Sequence, residues 1–288
     1  MNPFHLTGFS FLAFYLATGV LITWGLRYAI RRSETRAPPP AQNMTDPYLI
    51  AHLRGGEKEA LRVVTVALLD RGLLVAEGDK VRAVNGQAVE LVRRPIEKAV
   101  LRCFRSAGDA IGVFKDEATG KACNDYAKVL AGQGMVADAG VYASRLLPTM
   151  IALSALVAIA AVKIQIALSQ GRHNIGFLIV LAILFGIVTV VIWRKRLTGR
   201  GEAMLADLRD LFARLKGRAR TMRAGGQTNE ATMLAAVFGL AALPAANFPF
   251  LERLYPAKSG DGGGGCGSSS SCSSSGCSGG CGGGGCGG

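Results

Sequence analysis

The chain reads as a mainly α membrane protein with three transmembrane helices and a small cytoplasmic α+β, winged-helix-like domain. Three observations carry that reading. Three long apolar runs are almost free of charge, basic clusters follow the first and third, and about one hundred residues of mixed composition separate the first run from the second. The chain closes on a stretch of almost nothing but glycine, serine and cysteine.

The first run, residues 8–30, carries no charge until Arg27. At 1.5 Å per residue it is long enough for a hydrocarbon core of roughly 30 Å. Residues 1–7 hold no Lys or Arg and no small-residue cleavage site closes the run, so a spanning helix is expected rather than a signal peptide. The second and third runs, residues 146–168 and 175–193, are separated by a six-residue loop at 169–174, which predicts a helical hairpin. Lys163 and Gln165 fall near the loop end of the second helix, where a long stem carries an ammonium to the interface.

Positive flanks are retained in the cytoplasm, and this sets the orientation. Arg27, Arg31, Arg32 and Arg36 follow the first helix; Arg194, Lys195, Arg196 and Arg200 follow the third. Residues 1–7 and the hairpin loop, with Arg172 alone, are then expected outside. The formal charge of +13 is concentrated beside the spans and at Arg209, Arg214, Lys216, Arg218, Arg220 and Arg223, whereas residues 44–145 are nearly balanced. Such juxtamembrane bases fit the lipid bilayer and its anionic headgroups better than nucleic acid.

Residues 31–45 form a basic linker stiffened by Pro38-Pro39-Pro40. The soluble domain, residues 46–145, opens on Asp46-Pro47, an N-cap with proline at the first helical position, and Arg54-Gly55-Gly56 ends that short helix. Residues 57–71 place Leu61, Val64, Ala67 and Leu68 at helical spacing, and Gly72 stands where a left-handed terminus is expected. Leu73-Leu74-Val75-Ala76, a turn at Glu77-Gly78-Asp79-Lys80, and Val81-Arg82-Ala83-Val84 then predict a hairpin.

Helix followed by polar-tipped hairpin is similar to the back half of a winged-helix domain over about thirty residues. A second unit is suggested by the likeness of 127–136 to 67–74. On the helix expected over residues 57–71, Glu57, Glu59 and Asp70 offset Lys58, Arg62 and Arg71, the wrong balance for DNA recognition.

Residues 202–223 line Leu205, Leu208, Leu211, Phe212 and Leu215 along one stripe, an amphipathic helix suited either to the inner leaflet or to packing on the domain. Residues 231–251 are uncharged but rich in alanine and broken by Pro244 and Pro249, which leaves two readings: a buried helix or a fourth span. The tail, residues 259–288, cannot bury enough surface to offset ordering entropy and is expected to be a disordered coil, about 30 Å in r.m.s. span. Its Cys266, Cys272, Cys277, Cys281 and Cys286 lack paired C-x-x-C spacing. They are weak metal candidates, suited to Cu(I) or Zn(II) in a reducing compartment and to crosslinking in an oxidising one.

The run from Asp46 through Tyr48, His52 and Leu53 to Gly56, the later Ala67 to Leu74, the paired spans and the Gly/Ser/Cys ending resemble a family of uncharacterised bacterial multi-pass membrane proteins. The resemblance implies a bacterial cytoplasmic membrane location and the same domain order, and transfers no activity.

Spacing reveals no catalytic constellation. His5 and His173 are expected outside and His52 inside, so the three histidines cannot share a metal. Cys103 or Cys123 would have to approach His52 in the fold to make a thiol–imidazole pair. No cofactor is expected apart from a soft metal ion at the tail. The expected function is a non-enzymatic, membrane-anchored interaction or scaffold protein with an unknown protein partner. The alternatives are a membrane enzyme or maturation factor using His52 with a cysteine or Asp70, and a membrane-tethered regulator.

Overall fold

A computed structural model of the chain describes residues 8–35, 44–169, 176–218, 229–244 and 246–255. Residues 1–7 with His5, the proline run, the hairpin loop with His173 and the tail cysteines fall outside the described residues. The chain is mostly helical, with three helices long and apolar enough to cross a membrane and one small sheet.

The three long helices are α1 (Gly8–Glu34), α6 (Ala139–Ser169) and α7 (Gly176–Trp193), and they pack on one another as a bundle. Their outer faces keep large apolar side chains exposed, Leu147 at 70% and Phe177 at 76%. In water that exposure would be costly; in lipid it is the favourable state. Inside the bundle, the buried Tyr15 hydroxyl donates to the Leu156 carbonyl at 3.2 Å and its ring meets Phe185 edge-on. Gly19 lets α1 and α7 approach, because a Cβ there would lie 2.3 Å from the Phe185 ring. At 31 residues α6 is about 46 Å long, more than a bilayer core needs, so its first turns continue beyond the apolar layer.

The soluble part begins with α2 (Pro47–Gly55), capped by the Asp46 carboxylate on the Tyr48 amide, and α3 (Glu57–Asp70). Gly72, at φ +69°, closes α3 with the paired bonds Leu73 N–H to Leu68 O and Gly72 N–H to Leu69 O. Strands β1 (Leu74–Glu77) and β2 (Lys80–Ala83) form the hairpin, with Gly78 at φ +65° in the first turn position, and a two-residue β3 (Gly108–Asp109) extends the sheet in the order β1-β2-β3. Helices α4 (Pro95–Cys103) and α5 (Glu117–Gly132) complete the wall around α3.

Helix α5 ends on Gly134 by the same two-bond stop, Met135 N–H to Leu130 O and Gly134 N–H to Ala131 O. No hairpin comes after it. Val136 instead makes a single antiparallel bridge with Leu197, and the chain enters α6, so the second helix-hairpin unit is not formed.

The segment 231–251 breaks into α10 (Glu230–Phe238), a 3-10 turn at Leu240–Ala242 and α11 (Phe250–Leu254). Helix α10 is about 13 Å long, well short of a bilayer core. Its Leu234, Ala235, Ala236 and Val237 are fully buried against α2 and α3. Arg54 reaches the end of that helix and donates from Nε to the Ala236 carbonyl at 2.9 Å. The amphipathic stretch divides into α8 (Gly199–Leu211) and α9 (Ala213–Gly217), with Leu205 and Leu208 buried and Leu211 left exposed. Its apolar stripe thus packs in part on the soluble core, while residues 219–223 lie outside the described residues.

Candidate functional site

Three places concentrate charge or titratable groups: the junction between bundle and domain, a cleft beside His52, and a cleft lined by arginines. The junction gathers the C-terminal end of α1, the N-terminal part of α6, the C-terminal end of α7 and the start of α8. Arg145 is only 3% exposed. Its Nε lies 2.6 Å from Glu34 Oε1, and its two terminal nitrogens donate to the carbonyls of Lys195 and Leu197. The other Glu34 oxygen accepts the Gly199 amide at 2.6 Å, at the positive end of α8. Every arm of this buried ion pair is thus satisfied, the condition under which such a pair is tolerated.

Glu202 joins Arg31 of α1 to Lys195 beyond α7, so the basic flanks of the first and third long helices lie at the same end of the bundle. Burial pushes the Glu202 carboxyl up, but hydrogen bonds from Lys195 and Arg31 and their charges outweigh it and hold it below the ordinary glutamate range. Arg27, Arg32 and Arg194 remain exposed around this ring.

Three further contacts fix the domain to the bundle. Arg196 donates to the His52 and Leu53 carbonyls at the C-terminus of α2. Gly56 permits that approach, since it takes φ +81° and a Cβ there would lie 2.8 Å from Arg196 Nη1. Thr198 donates its hydroxyl to the Gly134 carbonyl at 2.7 Å and caps α8 by accepting the Gly201 amide at 3.1 Å. Backbone bonds Ala137 N–H to Arg196 O and Thr198 N–H to Met135 O flank the Val136–Leu197 bridge.

The second cleft, about 440 Å³, is lined by His52, Glu57, Glu117, Gly120, Lys121, Cys123, Asn124 and Ala127. The fold therefore does bring His52 and Cys123 to one place. Their chemistry is unsuited to a nucleophilic pair. Burial and the Glu57 carboxylate push the Cys123 thiol up to about 12, and burial with the Arg196 charge pushes His52 down to about 4. At neutral pH the sulfur stays protonated and the imidazole neutral, whereas an activated thiolate needs a positive environment. Cys103 is not on this cleft, and burial and Asp116 raise its thiol as well. Asp70 is on the last turn of α3 and does not line the cleft. Among the described residues no three His, Cys, Asp or Glu side chains gather as a metal-binding group.

The third cleft, about 390 Å³, opens between the N-terminal ends of α2 and α4 and includes Tyr48, Arg71, Leu91, Arg93, Arg94 and Glu97 in its lining. Glu97 is buried; its Oε1 accepts the Tyr48 hydroxyl at 2.6 Å and Arg71 Nη2 at 2.5 Å. Burial and the neighbouring Glu97 charge raise the Tyr48 phenol, so it remains a donor. Arg94 lies 4.8 Å from the centre of the Tyr48 ring and pairs with Asp46 at 3.0 Å. Sequence reasoning singled out Asp46 as a cap and Arg71 as a charge on α3, but missed Arg93, Arg94 and Glu97. The local signal available was the Arg93-Arg94 pair placed directly before Pro95, the first residue of α4.

The chain matches no family model, no curated protein and no solved structure.

Proposed function

We propose that this chain is a non-enzymatic, membrane-anchored interaction or scaffold protein of the bacterial cytoplasmic membrane, holding a small helical domain at a fixed pose on the cytoplasmic face. The observation that carries the reading is the junction. Arg145, Arg196 and Thr198 join three bundle ends to α2, to the end of α5 and to α8. A domain fixed in this way presents its surface to partners in one orientation, and pre-set geometry lowers the entropic cost of binding.

The cytoplasmic assignment rests on the basic ring formed by the α1 and α7 flanks, and exposed Arg27, Arg32 and Arg194 suit anionic headgroups. Helix α3, the hairpin and β3 support a winged-helix-like reading of this region. They lend none to DNA recognition, because α3 buries Leu61 and every residue from Val63 to Leu68 and has no free face for a groove.

Complementation of a deletion strain tests the proposal. A full-length variant carrying His52→Ala, Cys103→Ala and Cys123→Ala is expected to restore the wild-type phenotype. Loss of function at unchanged membrane abundance would contradict the scaffold reading and favour catalysis at the His52 cleft.

A further inference from the structure

We propose that the arginine-lined cleft between α2 and α4 is a receptor for an acidic peptide segment of a partner protein; this deepens the scaffold reading and rests on it. The cleft is built around preset guanidinium groups. Glu97, 3% exposed, holds Arg71 from below together with the Tyr48 hydroxyl, and every hydrogen bond the structure gives Arg71 uses Nη2. Its Nε and Nη1 donors are left for a ligand. The Tyr48 ring face and Asp46 hold Arg94 in place. Arg93 stands exposed on the same cleft with no ion pair or hydrogen bond among the described residues.

The charge balance favours an anion. The carboxylate in the cleft lining, Glu97, is already engaged by Tyr48 and Arg71, and Asp46 beside it by the Tyr48 amide and Arg94. Arg71 is balanced by Glu97 and Arg94 by Asp46, which leaves the single positive charge of Arg93, with the unused Nε and Nη1 donors of Arg71 beside it, in a concave site where low-dielectric walls focus the field. The planar forks of Arg93 and Arg71 match carboxylates in a bidentate manner, and the bracing of Arg71 from behind means that it loses little order on binding.

Two features select a peptide over a lipid headgroup or a small anion. Leu91, 75% exposed on the cleft, supplies an apolar ledge beside the arginines, with Val92 and Pro47 also in the lining, as a side chain alternating with carboxylates would need. The cleft is also toward the opposite end of α2 from the carbonyls that Arg196 holds, about 6–9 Å along the helix from that bundle contact. A ligand bound there meets the end of α2 remote from the bundle contact.

The test uses the full chain in neutral detergent micelles and a fluorescein-labelled peptide alternating glutamate or aspartate with leucine, read by fluorescence anisotropy. Saturable binding is expected, weakened at least about tenfold by Arg93→Glu and weakened by added salt, as a partly exposed charge contact must be. Lys121→Glu, which makes the same charge change on the other cleft, is expected to leave affinity within about twofold. Arg93 makes no contact that holds the fold, so Arg93→Glu should melt with wild type, and a melt confirms that lost binding is local. Absence of binding, or equal weakening by Arg93→Glu and Lys121→Glu, overturns the proposal. So does Arg93-dependent capture of inorganic phosphate or of phosphatidylglycerol vesicles without capture of the peptide. Failure here removes the cleft assignment alone, since the complementation experiment judges the scaffold reading separately.

Discussion

His52 illustrates how a single buried side chain couples the domain to solution conditions. It is 4% exposed, its Nδ1 has no hydrogen-bond partner, and burial with the Arg196 charge pushes it down to about 4. An unfolded histidine titrates near 6.5, so between about 6.5 and 4 the unfolded chain binds more protons than the folded one. Stability is then full above pH 6.5 and falls as pH is lowered toward 4, by an amount on the order of 3 kcal/mol at the limit. Thermal melts of detergent-solubilised protein should show a smaller drop between pH 7 and pH 5 for His52→Gln than for wild type. Equal drops would mean that His52 does not titrate with folding. Arg196 enters this balance twice, since it also binds the His52 carbonyl and so ties the imidazole's surroundings to the end of α7.

Among the elements, the bundle depends on one close approach. Gly19→Val would place carbon atoms against the Phe185 ring, where even a Cβ alone would lie 2.3 Å away, so α1 and α7 must separate and the Tyr15 bond to Leu156 must lengthen. Overpacking of this kind costs about 1–3 kcal/mol. Melting of Gly19→Val should fall accordingly, and Phe185→Ala in the same chain should recover part of the loss; no recovery would place the fault elsewhere. Elements governed by short-range chemistry were legible in the sequence. The Asp46 cap, the Gly72 stop and the hairpin turn at Gly78 each depend on residues within a few positions of one another. The likeness of 127–136 to 67–74 is real but local. Both segments encode the same glycine-terminated helix stop, at Gly72 and Gly134, and tertiary partners decide whether a hairpin or a single bridge comes after the stop. The segment 231–251 was undecidable from composition, because a buried helix is separated from a span by the apolar groove of α2 and α3 and the Arg54 cap on Ala236. The arginine cleft was illegible for the same reason, since Tyr48, Arg71, Arg94 and Glu97 meet only across three helices.

At the scale of the whole molecule, the proposed topology rests on the partition between lipid and water and on the clustering of cations at one end of the bundle. The apolar outer faces of α1, α6 and α7 require lipid, and the ring of Arg27, Arg31, Arg32, Arg194 and Lys195 opposes transfer of that end across the membrane. The soluble part is joined to that same end through Arg145 and Arg196, so in the proposed topology the two share one side. Single-cysteine labelling in intact cells tests this most directly, in a background with all seven native cysteines replaced by serine. With an impermeant maleimide, Asn174→Cys between α6 and α7 should label in intact cells, and Lys121→Cys on exposed α5 should label only after lysis. Labelling of Lys121→Cys in intact cells with protection of Asn174→Cys would contradict the account.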